Sequence, residues 1–170
     1  SIQTASAPTN VAIGTDGKVT WTNSSNATGY EISTKSDFSE NKVTATNGTT
    51  GVNYLDKITL VTGTRTVYVR AINSDTSNYT TSGNASKSVT VSSVALTKGT
   101  GISEVSGAGN YISGATVTLG ATASTGYTWS NWTQTSGGTQ ISTTKAYSGT
   151  IGGNWAYTAN ATANELTFNG

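Results

Sequence analysis

The sequence predicts an all-β protein, a two-sheet β-sandwich followed by a small antiparallel β module. Three observations lead there. Candidate strands are written in Thr, Val, Ser and Tyr with apolar residues at every second position, the pattern of a half-buried sheet. The breaks between them fall at Gly and Asn, which turns accept readily. No window sets apolar residues at i, i+3, i+4 and i+7 among good helix formers, so no helix is expected. The 170 residues leave room for two small domains, since a β-module typically needs about 70–100.

Composition removes several classes of function. Cys, His and Met are absent, which takes away the usual zinc ligands and most proton-transfer groups. No disulfide can staple a small scaffold, so each core must hold by packing. Charged residues make up 10% of the chain and the net charge is +1. Lys18, Lys35, Lys42, Lys57, Lys87, Lys98 and Lys145 are scattered singly, whereas a nucleic-acid footprint needs clustered Lys and Arg. No apolar run approaches the ~18 residues that span a bilayer. The richness in Ser and Thr would by itself favour disorder. Regularly placed aromatics, and the lack of charge blocks and proline tracts, favour a folded chain. With no initiator Met, signal peptide or anchor motif, the sequence reads as a piece of a longer secreted protein.

Residues 1–92 divide into short alternating runs. Val11–Ile13 follows Pro8, the one proline, placed where it interrupts no ladder bond. Asp16-Gly17 reads as a hairpin turn. The next run sets Val19 and Trp21 on one face, and Trp21 is assigned to the core. Tyr30 and Ile32 then share a face with Glu31 opposite. Runs follow at Lys42–Thr46, Val52–Ile58, Arg65–Asn73 and Ser86–Val91. In the longest, Val67, Val69 and Ala71 face one way and Tyr68, Arg70 and Ile72 the other. Seven short strands over about 90 residues suit a two-sheet sandwich.

Trp21 on the second strand, Gly29-Tyr30-Glu31-Ile32 on the third and the Val67–Asn73 run on the sixth resemble a fibronectin type III domain. The polar stretch Ser77–Ser86 is similar to bacterial surface versions of that fold. Where that family often carries a tyrosine, two residues before the paired valines, this chain has Arg65.

Residues 93–163 follow another grammar. After the run Val94–Lys98 and a glycine-rich stretch come Tyr111, Gly114, Val117, Leu119 and Ala121, then Gly126, Tyr127, Trp129 and Trp132, with a closing strand over 154–163. This spacing resembles the bacterial repeat modules related to the internalin B-repeat. The resemblance implies a small antiparallel sheet, β-grasp-like in character, with Trp129 and Trp132 as core packing. Residues 164–170 read as a linker or the start of a further module, and the short link Val91–Val94 leaves little slack between the two halves.

No constellation for catalysis is legible, and no enzyme activity is expected. Among the carboxylates only Asp37 and Glu40 lie close in sequence, in a polar loop where solvated charges are the ordinary outcome, although a glycosidase needs two carboxyls facing across a cleft. No Asp-x-Asp-x-Asp-Gly run marks a calcium loop. Asp75, near Asn73 and Asn78, reads as a turn, so no metal or cofactor is expected. Lys18 and Lys87 lie on predicted strands where a Lys–Asn or Lys–Asp cross-link of bacterial surface modules could form, with nothing to mark a partner.

Trp155 stands where the repeat pattern usually has an aliphatic residue. Together with Tyr147 and Tyr157 it is the candidate binding surface, since exposed aromatics stack on sugars and anchor interfaces. The resulting expectation is a monomeric structural spacer, non-catalytic, of a bacterial cell-surface or secreted adhesin-like protein, its partners being neighbouring modules of the same chain. The alternative is a module that binds a glycan or host protein through Trp155, Tyr147 and Tyr157. No nucleic acid and no membrane insertion enter either reading.

Overall fold

The computed structural model describes residues 1–166. They are β throughout save for one short helix, and they form two compact units, 1–91 and 92 onward. The sequence reading put this division at residue 92/93.

Unit 1 opens with β1 (Gln3–Thr4), β2 (Thr9–Ile13), β3 (Lys18–Thr22), β4 (Gly29–Ser33), β5 (Val43–Thr46) and β6 (Gly51–Asn53). Helix α1 (Leu55–Ile58), β7 (Gly63–Ile72) and β8 (Tyr79–Thr80) follow. The last strand, β9 (Ala85–Lys98), supplies this unit with its portion up to Val91. One sheet has the order β2-β3-β6; the other runs β5-β4-β7-β9, all antiparallel. β1 and β8 form a short parallel pair.

The alternation in the sequence is what buries the core. Val19 and Trp21 are buried on β3, Tyr30 and Ile32 on β4, and Val67, Val69 and Ala71 on β7, while Tyr68, Arg70 and Ile72 are half-buried opposite. Trp21 lies against Tyr30 with ring centroids 5.4 Å apart, and its Nε1–H donates to Asn23 Oδ1 at 3.0 Å, so the indole is buried without an orphaned donor. The Asp16-Gly17 turn is present, with Gly17 at φ +82°.

Two expectations about this unit do not hold. Val52–Ile58 is not one strand, and a helix does exist: β6 stops at Asn53 and the chain makes one turn of α1. The cause is Tyr54, fully buried, whose hydroxyl donates to the Asn41 carbonyl at 2.5 Å. Seating that side chain draws the backbone off the ladder. Arg65 completes the arrangement by donating to the carbonyls of Ile58 (2.9 Å) and Lys57 (3.1 Å), groups that a helix end leaves without intrahelical partners. Secondly, Val91–Val94 is no linker. It lies inside β9, which runs unbroken for 14 residues.

Unit 2 takes the rest of β9 and adds β10 (Ile102–Ser106), β11 (Gly109–Ile112), β12 (Thr116–Thr118), β13 (Gly120–Ala123) and β14 (Tyr127–Gln134). It ends with β15 (Gln140–Ser142), β16 (Ser148–Thr150) and β17 (Trp155–Ala163). β14 pairs antiparallel with β15 and β17, and β17 pairs in parallel with residues 94–98 of β9. That parallel pair departs from the purely antiparallel sheet expected. β10–β13 and β12–β16 are separate antiparallel two-stranded pairs, each joining strands that are not consecutive in the chain. Of the stretch 164–170, residues 164–166 carry no strand and 167–170 lie outside the described residues.

Candidate functional site

β17 positions two of the three candidate binding aromatics. Its period of two turns Trp155, Tyr157 and Ala159 inward, and opposite it Trp132 of β14 faces Ala159 in register. Trp155 and Tyr157, two residues apart on one face, stack at 5.2 Å with an 18° interplanar angle. Tyr147, just before β16, reaches Trp155 at 5.9 Å and 49°. The structure therefore brings the three residues together.

It does not expose them. Trp155 is 9% and Tyr157 7% exposed, both within the core formed with Val94, Ile102, Val117, Leu119, Trp132 and Ile151. Tyr147 is half-buried and packs against the same core. Burial pushes the Tyr157 hydroxyl up from its ordinary pKa, and Tyr147 adds to the effect. An exposed aromatic face at these positions is corrected to an internal stack. The physical reason lies in the partner strand: Val94 is directly opposite Trp155, and Gly149 leaves room where a side chain would meet the indole at 3.2 Å.

The other two indoles act on a loop. Trp129 and Trp132 meet edge to face at 5.4 Å and 62°. Trp129 Nε1–H donates to the Thr143 carbonyl and Trp132 Nε1–H to the Lys145 carbonyl, both at 2.9 Å. Together they pin the segment between β15 and β16. Gly101, at φ +82°, faces Tyr127 so closely that an added Cβ would lie 2.2 Å from the ring, and only glycine suits both the backbone angle and the space.

The outer face of β14 and β17 is polar and bonded to itself. Asn160 Nδ2 donates to Asn131 Oδ1 (3.1 Å) and Thr133 Oγ1 (2.9 Å), Asn131 Nδ2 donates to Gln140 Oε1 (2.8 Å), and Thr135 and Thr158 hydroxyls meet at 2.9 Å. Such ladders satisfy a sheet face with neutral groups.

The charged groups gather in unit 1. Glu31, half-buried, accepts from Arg70 at 2.9 Å and lies 3.2 Å from Lys42. Burial alone would raise its carboxyl, but the hydrogen bonds from Arg70 and Lys42 outweigh that and hold it below its ordinary range. The Arg70 guanidinium also covers the buried Phe38 ring at 3.9 Å, a cation–π contact. Sequence reading missed this cluster, because Phe38 sits in a polar loop and reaches the core through a left-handed backbone, φ +58°.

The remaining candidates resolve into turns and surface pairs. Asp37 is capped by its own loop, accepting from Ser39 N–H (3.1 Å) and hydroxyl (2.6 Å), and Glu40 pairs with Lys35. Asp75, Asn73 and Asn78 bond to one another in a turn. Lys18 and Lys87 are exposed. Among the described residues, no three carboxylates come together as a metal-binding group would need, and no helix is long and apolar enough to cross a membrane.

Residues 89–165 match the family of the divergent InlB B-repeat domain. The match begins inside β9, takes in β10 to β17, and covers a little under half of the chain. Modules of this kind are typical of bacterial surface modular proteins. No curated protein matches the chain.

Proposed function

We propose that this segment is a non-catalytic structural spacer of a bacterial cell-surface or secreted protein, an adhesin-like stalk element whose partners are neighbouring modules of its own chain. The observation that carries the reading is the B-repeat match over residues 89–165. Two structural features support it. The aromatic side chains best suited to recognition, Trp155 and Tyr157, are used in the core of unit 2. The outer strand face beside them bonds to itself through Asn131, Asn160, Thr133 and Thr158 rather than converging on a cleft. Burial of the stack weighs against the glycan- or protein-binding alternative, since recognition by aromatics depends on their faces being free.

Unit 1 is read as a fibronectin type III-like sandwich. Its three-strand sheet β2-β3-β6 and four-strand sheet β5-β4-β7-β9, with Trp21 against Tyr30 between them, support that assignment.

A replacement experiment in the parent protein tests the spacer role. Deleting residues 1–166 should impair display of whatever lies beyond them, and an unrelated β module pair of matching span should restore it. If only the native segment restores function, the spacer role fails and a specific surface is at work.

A further inference from the structure

The turn between β5 and β6 carries the reactive pair Asn47-Gly48. It is closed by one cross-bond, from Thr49 N–H to the Thr46 carbonyl at 3.1 Å, with the Thr46 and Thr49 hydroxyls 3.4 Å apart. That bond uses Thr49 and leaves the Gly48 N–H outside it. Asn47 is exposed, and its backbone N–H is anchored to the Thr28 carbonyl at 2.9 Å. No hydrogen bond among the described residues holds its side-chain amide. Gly48 stands at φ +93° with open space on the side a Cβ would occupy, so no side chain of its own crowds the peptide nitrogen.

Two other asparagines followed by a small residue, Asn23 and Asn73, are held differently. Asn23 Oδ1 accepts from the Trp21 indole at 3.0 Å. Asn73 Nδ2 donates to the Asn26 carbonyl at 2.8 Å, and its Oδ1 accepts from Asp75 N–H at 2.8 Å. A side-chain amide fixed in such bonds must break them before it can turn toward the next peptide nitrogen.

We infer that Asn47 is a site of spontaneous succinimide formation, where the chain modifies itself without an enzyme. Hydroxide removes the Gly48 amide proton, and the nitrogen attacks Asn47 Cγ, forming a Cγ–N bond. The Cγ–Nδ2 bond then breaks, and Nδ2 leaves as ammonia after taking a proton from water. Tethering donor and acceptor in one five-membered ring supplies the proximity that such a step requires. Water then opens the ring. Attack at Cγ gives aspartate, and attack at the Asn47 main-chain carbonyl gives isoaspartate, with the chain continuing through Cβ and Cγ. Either product adds one negative charge, taking the net charge from +1 to zero. Isoaspartate also lengthens the backbone inside the Thr46–Thr49 turn, where β5 leaves β4 and the chain crosses to β3.

The test is timed incubation of the intact chain at neutral and mildly alkaline pH, followed by peptide mapping that separates aspartate from isoaspartate. Asn47 should lose its amide several-fold faster than Asn23 and Asn73, faster still at higher pH, with isoaspartate the major product. Mapping by peptide keeps the Asn169-Gly170 pair distinct. Asn47→Gln, which would need a six-membered ring, should remove the acidic species from this peptide, and Gly48→Ala should slow its formation. Loss at Asn47 no faster than at Asn23 and Asn73, or aspartate without isoaspartate, would overturn the inference.

Discussion

The two units solve the problem of a cysteine-free β core in different ways. Unit 1 closes two sheets over aliphatic side chains and one Trp–Tyr contact, then anchors its loops with charge: Arg65 on the α1 carbonyls, and Arg70 between Phe38 and Glu31. Unit 2 carries few charges. Its core sets Trp132, Trp155 and Tyr157 among six aliphatic side chains, and the segment between β15 and β16 is held by indole N–H groups. Strand length does not separate the two units, since β14 and β17 have 8 and 9 residues against the 10 of β7. What differs is the inward face: Val67, Val69 and Ala71 on β7, but Trp132 on β14 and Trp155 and Tyr157 on β17.

The largest effects are expected at the buried rings. Trp21→Ala in unit 1 and Trp132→Ala in unit 2 each remove a buried indole, a change that costs about 3–5 kcal/mol against the roughly 5–15 that hold a whole domain. Each should unfold or nearly unfold its own unit, and amide exchange mapped along the chain checks this. A Trp21→Ala protein that kept its melting midpoint would contradict the core assignment.

A smaller effect is expected where Gly101 meets Tyr127 in unit 2. Gly101→Ala forces a Cβ into the Tyr127 ring at a positive φ, and overpacking of that kind costs about 1–3 kcal/mol. Faster exchange in β10 and β14, with β4 and β7 unchanged, is the expected signature.

Charge should matter in unit 1 alone. The Glu31 carboxyl titrates in the folded chain below its ordinary value of 4.5. Its stabilisation is therefore fully present above that pH and is lost as the pH falls through the folded value. Glu31→Gln should cost about 1–2 kcal/mol at neutral pH, since charged hydrogen bonds that remain partly solvated contribute modestly. It should also flatten the acid limb of unit 1 unfolding, measured by denaturation from neutral pH to below 4.5. Unit 2, followed in parallel, should show little of this dependence.

How much of this was legible depended on whether a residue's neighbours in sequence were also its partners. Val67, Val69 and Ala71, or Tyr30 and Ile32, announce a buried face because period-two alternation is a local signal. Phe38 and Tyr54 do not, since each leaves a polar loop to reach a core built by distant strands. Ser92 and Ser93 looked like a break, yet Ser92 is buried, its hydroxyl 3.5 Å from that of Ser113, and Ser93 N–H donates to Asn154 Oδ1 at 2.9 Å. Partners supplied from far along the chain kept the strand going. Trp155 misled for the same reason. Its departure from an aliphatic pattern suggested surface work, but Val94, its neighbour on the partner strand, is remote in sequence.

The central claim is that the Trp155–Tyr157–Tyr147 stack is internal structure. Hydrogen exchange on the Trp155→Ala chain tests it most directly. The account predicts that amides of β14 and β17 lose protection equivalent to about 3–5 kcal/mol, the cost of emptying a core ring site. Protection indistinguishable from that of the unaltered chain would mean the indole stands free at the surface, and would contradict it.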